Sequence, residues 1–152
     1  MTRGGARYRL LLAPETLWAR RAAGAPPLRN GGRTTRHRAS LVTDDGAPLV
    51  PPEIWALLGV EGNSVLGLSP QDAARRGHAY ARRVADKAAA ALPVLVEDRA
   101  CLVRRAARAA LRADEDSEAD ALFYAREIAQ LDARVTALRR IVAQVGPHLT
   151  SS

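Results

Sequence analysis

The sequence predicts an α+β fold, mostly helical by residue count: a small β module over residues 1–68, then a helical bundle or coiled coil over 69–147 and a short tail at 148–152. Three observations carry this. Residues 42–65 crowd strand-like runs, an Asp-Asp-Gly turn, a Pro-started helical turn and a glycine stop into one short stretch. From Ser69 onward apolar residues recur at helical spacing. The chain is 47% apolar but only 4% aromatic, so its core must be built from Ala, Leu and Val.

The elements follow in order. Residues 7–12 read as a strand, and Pro14-Glu15 as the opening of a short helix that stops at Gly24. Paired prolines and glycines make 25–37 a linker or basic arm. Residues 37–43 alternate as a strand; Asp44-Asp45-Gly46 turns the chain, with glycine available for positive φ. Residues 48–51 read as a short, proline-limited strand. Pro51-Pro52-Glu53 opens a two-turn helix carrying Ile54, Trp55 and Leu58, which Gly59 closes. A further strand follows Gly62-Asn63. Residues 12–24 echo 50–59 as apolar residue, Pro-Glu, aliphatic, Trp-Ala and glycine stop, either a duplication or a coincidence of composition.

In Ser69-Pro70-Gln71-Asp72 an N-cap, a first-position proline and an acid form a capping-box variant. Helix 70–92 follows, with Gly77, Tyr80, Ala81, Val84 and Ala88 on one face and arginines on the other. Pro93 resets the chain, and helix 94–113 turns Leu95, Leu102, Val103, Ala106 and Ala110 inward. Arg99 falls on that apolar side and needs a carboxylate partner or a wet interface. Residues 114–117 suit a turn, with Ser117 and Asp120 capping a helix over 118–145, although one rod over 94–145 fits as well. In the last helix Ile128, Leu131, Val135, Leu138 and Val142 make an a/d seam, which any buried bundle helix would also show. Its flanking charges favour antiparallel packing, within one chain or between two, pairing Glu127 with Arg134 and Asp132 with Arg139.

The net charge of +7 rests on arginine, with Lys87 the one lysine. It is blocked: residues 1–40 hold nine arginines against Glu15, whereas 41–69 hold four acids and no base. A basic start suits an anionic partner. A single cysteine excludes an internal disulfide and a cysteine zinc site, and makes a cytoplasmic setting the default. His37, His78 and His148 are scattered, so no metal and no cofactor is expected. No phosphate-cradling loop or serine elbow occurs, and the expectation is a non-enzyme. No apolar run is long enough for a membrane span.

Thr43-Asp44-Asp45-Gly46, Leu49-Val50-Pro51-Pro52-Glu53-Ile54, Leu58-Gly59-Val60 and Gly62-Asn63-Ser64-Val65 together resemble the AbrB/MazE/MraZ swapped-hairpin DNA-binding domains. The likeness covers residues 38–68, with a degenerate first copy at 9–24. It implies interleaved hairpins from two copies, a homodimer, and DNA bound by arginines on one face, with Gly46, Pro51, Glu53, Ile54, Trp55, Leu58 and Gly59 as module anchors. A strand-turn-strand unit this small is expected to bury its apolar face against a second copy. Where the family often carries arginine, this chain has Ala47, Trp55 and Ala56. DNA contact is therefore expected from Arg33, Arg36, His37 and Arg38, from Arg20 and Arg21, or from helix 70–92. The expected function is a dimeric DNA-binding transcriptional regulator whose helices oligomerise or bind another protein. The alternative is a structural, adaptor or antitoxin-like assembly protein without DNA binding.

Overall fold

The structure is a computed structural model that describes residues 6–18, 33–112 and 115–146. It is an α+β fold: β1 (Arg9–Trp18), β2 (Arg33–Val42), α1 (Pro52–Leu58), β3 (Ser64–Gly67), α2 (Pro70–Arg112) and α3 (Ser117–Val145). The sheet is antiparallel in the order β1-β2-β3. Strand β1 pairs with β2 over its whole length, from Arg9 opposite Val42 to Trp18 opposite Arg33, whereas β3 reaches only His37 to Ser40.

Pleat alternation sends Leu10, Ala39, Leu41, Val65 and Gly67 to one face, and that face meets α2. The approach is close. A Cβ on Gly67 would sit 2.3 Å from the Ala73 backbone nitrogen, and one on Gly77 would stand 3.0 Å from Leu10 and 3.2 Å from Ala39. The core then continues without a break: Leu41, Val50, Ile54 and Leu58 pack with Tyr80, Val84, Ala88, Leu131, Leu138 and Ile141. The apolar face of the β module is thus covered by helices of its own chain, where covering by a second copy was expected.

Local chemistry accounts for the turns. Gly46 takes φ 88°, and Gly59 closes α1 in the left-handed region at φ 65°, ψ 39°. The Asn63 side chain clamps residue 50: its Oδ1 accepts from the Val50 N–H and its Nδ2 donates to the Val50 carbonyl, both at 2.7 Å. The Trp55 indole donates to that same carbonyl at 2.9 Å. These bonds take the strand-type capacity of the segment, so 48–51 is no strand and keeps one bridge, Val42 to Pro48.

Four further expectations give way to tertiary packing. Residues 14–18, read as the start of a helix, are strand, because cross-strand pairing with 33–37 fills their backbone bonds; Pro14 is tolerated on an edge strand. Over its described residues, 12–18, the first member of the echo is strand, whereas the matching part of the second is α1, so these stretches do not fold alike; residues 19–24 lie outside the described residues. Residues 33–37, read as part of an arm, belong to β2, while the rest of that linker lies outside the described residues. Helix α2 runs unbroken through Pro93, although the ring removes one hydrogen bond. Ala88 and Leu95, on either side of Pro93, are buried in one core, and that shared contact keeps the two stretches in line.

Helices α2 and α3 form an antiparallel hairpin turning at 115–116, so the single rod over 94–145 does not occur. At its N-terminus α2 carries the expected cap: the Asp72 N–H donates to Ser69 Oγ at 3.0 Å, and the Leu68 N–H donates to the Asp72 carboxylate at 2.9 Å. At α3 the expected cap is replaced: Asp116 is the N-cap residue and makes no side-chain capping bond, while Asp120 pairs with Arg112 across the turn. In the seam, Leu131, Val135 and Leu138 are buried in, and Val142 half-buried against, the core shared with the chain's own α2, and Ile128 is half-buried. The expected partner of Arg99 is Asp132, 2.5 Å away, so Asp132 is used here and not on Arg139. Val103 and Ala110, expected inward, are exposed.

Two stability measurements check this packing. Gly67→Ala should destabilise the protein by about 1–3 kcal/mol, because the methyl must displace backbone; urea unfolding should show a lower midpoint. Pro93→Ala should raise the melting temperature, by up to about 3 kcal/mol of stability, because it restores a helical N–H on an exposed face.

Candidate nucleic-acid interface

The second face of the sheet is not covered by α2. It carries Arg9, Leu11, Ala13 and Glu15 on β1, Arg36, Arg38 and Ser40 on β2, and Ser64 and Leu66 on β3. Because β3 stops opposite His37, residues 15–18 and 33–36 continue as a two-stranded ribbon past the third strand. Four residues at about 3.4 Å each carry the ribbon roughly 14 Å past the end of β3.

Arg38 is fixed in place. Its Nε and Nη2 donate to the Glu15 carboxylate at 2.6 and 2.9 Å, and Nη1 donates to Ser64 Oγ at 2.5 Å, so one guanidinium ties all three strands. The bidentate bond from Arg38 holds the Glu15 carboxyl below its ordinary range, against a smaller opposing effect of desolvation. Glu15 stands directly opposite Arg36 in the ladder but bonds Arg38 diagonally. Among the described residues, Arg36 therefore lacks an ion-pair partner. His37 lies on the opposite face, facing Pro14 and Gly67 in register. The backbone of Arg33 ends the ribbon opposite Trp18, while Arg20 and Arg21 lie outside the described residues.

The arginines of α2 are mostly engaged nearby. Arg75 and Arg76 pair with Asp72 at 2.5 and 3.1 Å, and Arg83 stacks over the Tyr80 ring at 5.3 Å. The first two nevertheless keep large exposed surfaces. Tyr80 is buried, which raises its phenol pKa, and it donates to the Gly62 carbonyl at 2.5 Å.

The module anchors do structural work on the far side of the core. Pro51 precedes α1, Glu53 sits in its first turn, Ile54 and Leu58 are buried, and Trp55 is half-buried. The acidic turn is tied down by α3. Arg140 donates to both Asp45 carboxylate oxygens at 3.0 and 2.9 Å, and the Asp45 carboxylate also accepts from Thr43 Oγ1. The buried Gln144 amide accepts from the Asp44 N–H at 3.1 Å and donates to the Asp44 carboxylate at 3.2 Å. The Gln144 carbonyl, otherwise orphaned in the last helical turn, accepts from the Arg7 and Tyr8 N–H groups at 2.6 and 3.2 Å. Gln144 and Asn63 were not singled out in the sequence; a polar residue one step beyond an apolar seam was the only signal for Gln144.

Among the described residues no three His, Cys, Asp or Glu side chains converge as metal ligands do, and no helix is long and apolar enough to cross a membrane. Cys101 is half-exposed, with its sulfur 3.1 Å from the Arg104 guanidinium.

Glu15, Asp45 and Asp72 all have carboxyl pKa values lowered in the fold, chiefly by hydrogen bonds from Arg38, from Thr43 and from the Leu68 N–H respectively. A carboxyl with a lowered folded pKa stabilises the protein fully above the ordinary carboxylate range, and the gain is lost as pH falls through the lowered values. Melting temperature should therefore drop as pH is lowered from about 5 to about 2, and Glu15→Gln should flatten part of that slope. In comparisons with family models, with curated proteins and with solved structures, the chain matches none.

Proposed function

We propose that the chain is a DNA-binding protein that acts as a dimer, a transcriptional regulator in which the sheet contacts the duplex and the helices associate. The observation that carries this is the ribbon of 15–18 and 33–36 with Arg36 on its uncovered face, Arg38 at its base and Arg9 at the other end of β1. A two-stranded β-ribbon fits the major groove, which is about 12 Å wide. Arginine presented from a rigid ladder reaches phosphate oxygens with little ordering cost, and affinity then follows counterion release. The likeness of residues 38–68 to swapped-hairpin DNA-binding domains supports the same reading. A cytoplasmic setting, in which Cys101 stays reduced, belongs with it, as does the absence of a catalytic role.

A second reading, an assembly or adaptor protein without DNA binding, is favoured by one observation: Leu111, Leu122 and Phe123 are strongly exposed at the end of the helical hairpin.

Fluorescence anisotropy of a labelled duplex, titrated across a salt series, separates the two. The DNA reading expects affinity to fall steeply with salt, and Arg36→Ala and Arg9→Ala each to reduce the log–log slope by about 1. Absence of binding at low salt hands the case to the assembly reading.

A further inference from the structure

The sheet has one long free edge. Strand β1 is outermost over ten residues, whereas β3, at the other side, has four. The direction of the β1 backbone groups follows from Leu41. Its N–H donates to the Asn63 carbonyl at 2.6 Å and its carbonyl accepts from the Leu49 N–H at 3.1 Å, so both leave Leu41 on the side away from β1. Leu10, opposite Leu41, therefore turns its own N–H and carbonyl away from β2, and by alternation so do Leu12, Pro14 and Thr16. Pro14, which has no N–H, stands where the β1–β2 ladder needs none. Among the described residues nothing pairs with this outer edge.

The edge is apolar in its middle and charged at both ends. Leu10, Leu11, Leu12 and Ala13 run consecutively, and Leu11 and Leu12, on opposite faces, are 52% and 46% exposed. Arg9 precedes them without a carboxylate partner among the described residues, and Glu15 follows on the same face. An open apolar edge is a template for another strand. A basic start, an apolar middle and an acidic end match the same strand run in the opposite direction, so charge selects a second β1.

Two antiparallel copies of β1 have few registers open to them. Outward backbone groups must meet outward ones, and a two-fold axis pairs each residue with the one equally far on its other side. An axis at Leu11 sets Arg9 against Ala13, and an axis at Ala13 sets Glu15 against Leu11. An axis at Leu12 sets Arg9 of each copy directly across from Glu15 of the other. There Leu12 exchanges two hydrogen bonds with its own copy, and each Leu10 N–H meets a Pro14 carbonyl, the one backbone group proline offers. The Glu15 carboxylate, though held by Arg38, is 31% exposed and keeps lone pairs for Arg9.

We propose that the β1 edge binds a second copy of the chain, two-fold about Leu12, making one six-stranded antiparallel sheet in the order β3-β2-β1-β1-β2-β3. The axis stands perpendicular to the sheet, so both uncovered faces lie on one side and both copies of α2 on the other. Six residues at about 3.4 Å along the strands and three strand spacings of about 4.8 Å set the two Arg36 positions roughly 25 Å apart, within one duplex turn of about 34 Å. This deepens the dimer of the proposed function, on which it rests, and does not depend on its DNA contact.

The test uses the full chain without DNA. Light scattering should give two chains per particle, and a monomer at the highest soluble concentration overturns the proposal. On a Cys101→Ser background, Leu12→Cys should crosslink two chains under mild oxidation, because a hydrogen-bonded pair holds its Cα atoms about 5.5 Å apart. Thr16→Cys, whose two copies would stand about 27 Å apart, should not. Crosslinking of both alike, or of neither, overturns the proposed pairing. Arg9→Glu sets acid against acid and should weaken dimerisation about tenfold with circular dichroism retained. A folded Arg9→Glu dimer of unchanged strength overturns the register, and if that variant unfolds the crosslinks decide. A crosslinked dimer that ignores DNA removes the DNA reading alone, and a monomer that binds DNA removes this inference alone.

Discussion

The close contact between α2 and the inner face of the sheet governs the rest of the molecule. Ala73, Gly77, Ala81 and Ala88 are fully or nearly fully buried on one side of the helix, and glycine at 67 lets the end of β3 meet the first turn of α2 backbone to backbone. Side chains this small contribute little area each, so stability comes from contact density and from the larger residues around the rim, Leu41, Ile54, Leu138 and Ile141. Without that approach the sheet would keep one bare apolar face, and a three-stranded sheet with a bare face is marginal in water.

Placing α2 against the sheet leaves the other face to solvent, and that is the face on which Arg36 and Arg38 stand. Strand β3 reaches only His37 to Ser40, so the longer hairpin of β1 and β2 runs on past it as a ribbon. The bonds from Arg38 to Glu15 and Ser64 tie the base of that ribbon to all three strands.

At the other end, α3 closes the core by two polar ties, Arg140 to Asp45 and Gln144 to Asp44. The acidic turn is thus partly satisfied within the chain. The outer half of the helical hairpin receives no such cover.

The sequence by itself determined the α+β class, the Gly46 turn, α1 with its proline start and glycine stop, β3, the capping of α2 and the buried seam around Leu131, Val135 and Leu138. Each is encoded locally, in a φ requirement, a capping side chain or a period within a few residues. It also required a carboxylate partner or a wet interface for Arg99, and only the tertiary structure supplied Asp132. Only the tertiary structure decided that 14–18 is strand, that α2 continues through Pro93, and that Val103 and Ala110 are left exposed. Only it showed that Asn63 replaces a strand at 48–51 and that Gln144 holds the acidic turn. In each of these the deciding partner lies far along the chain: β2 for β1, α3 for both sides of Pro93, residue 50 for Asn63, the turn at 44–45 for Gln144. The grouping of Arg36 and Arg38 on one face, with His37 turned to the other, depends on the strand that 33–37 forms with 14–18. Composition had made that segment the end of a linker, because the prolines and glycines just upstream favour one and only a cross-strand partner shows where the strand begins.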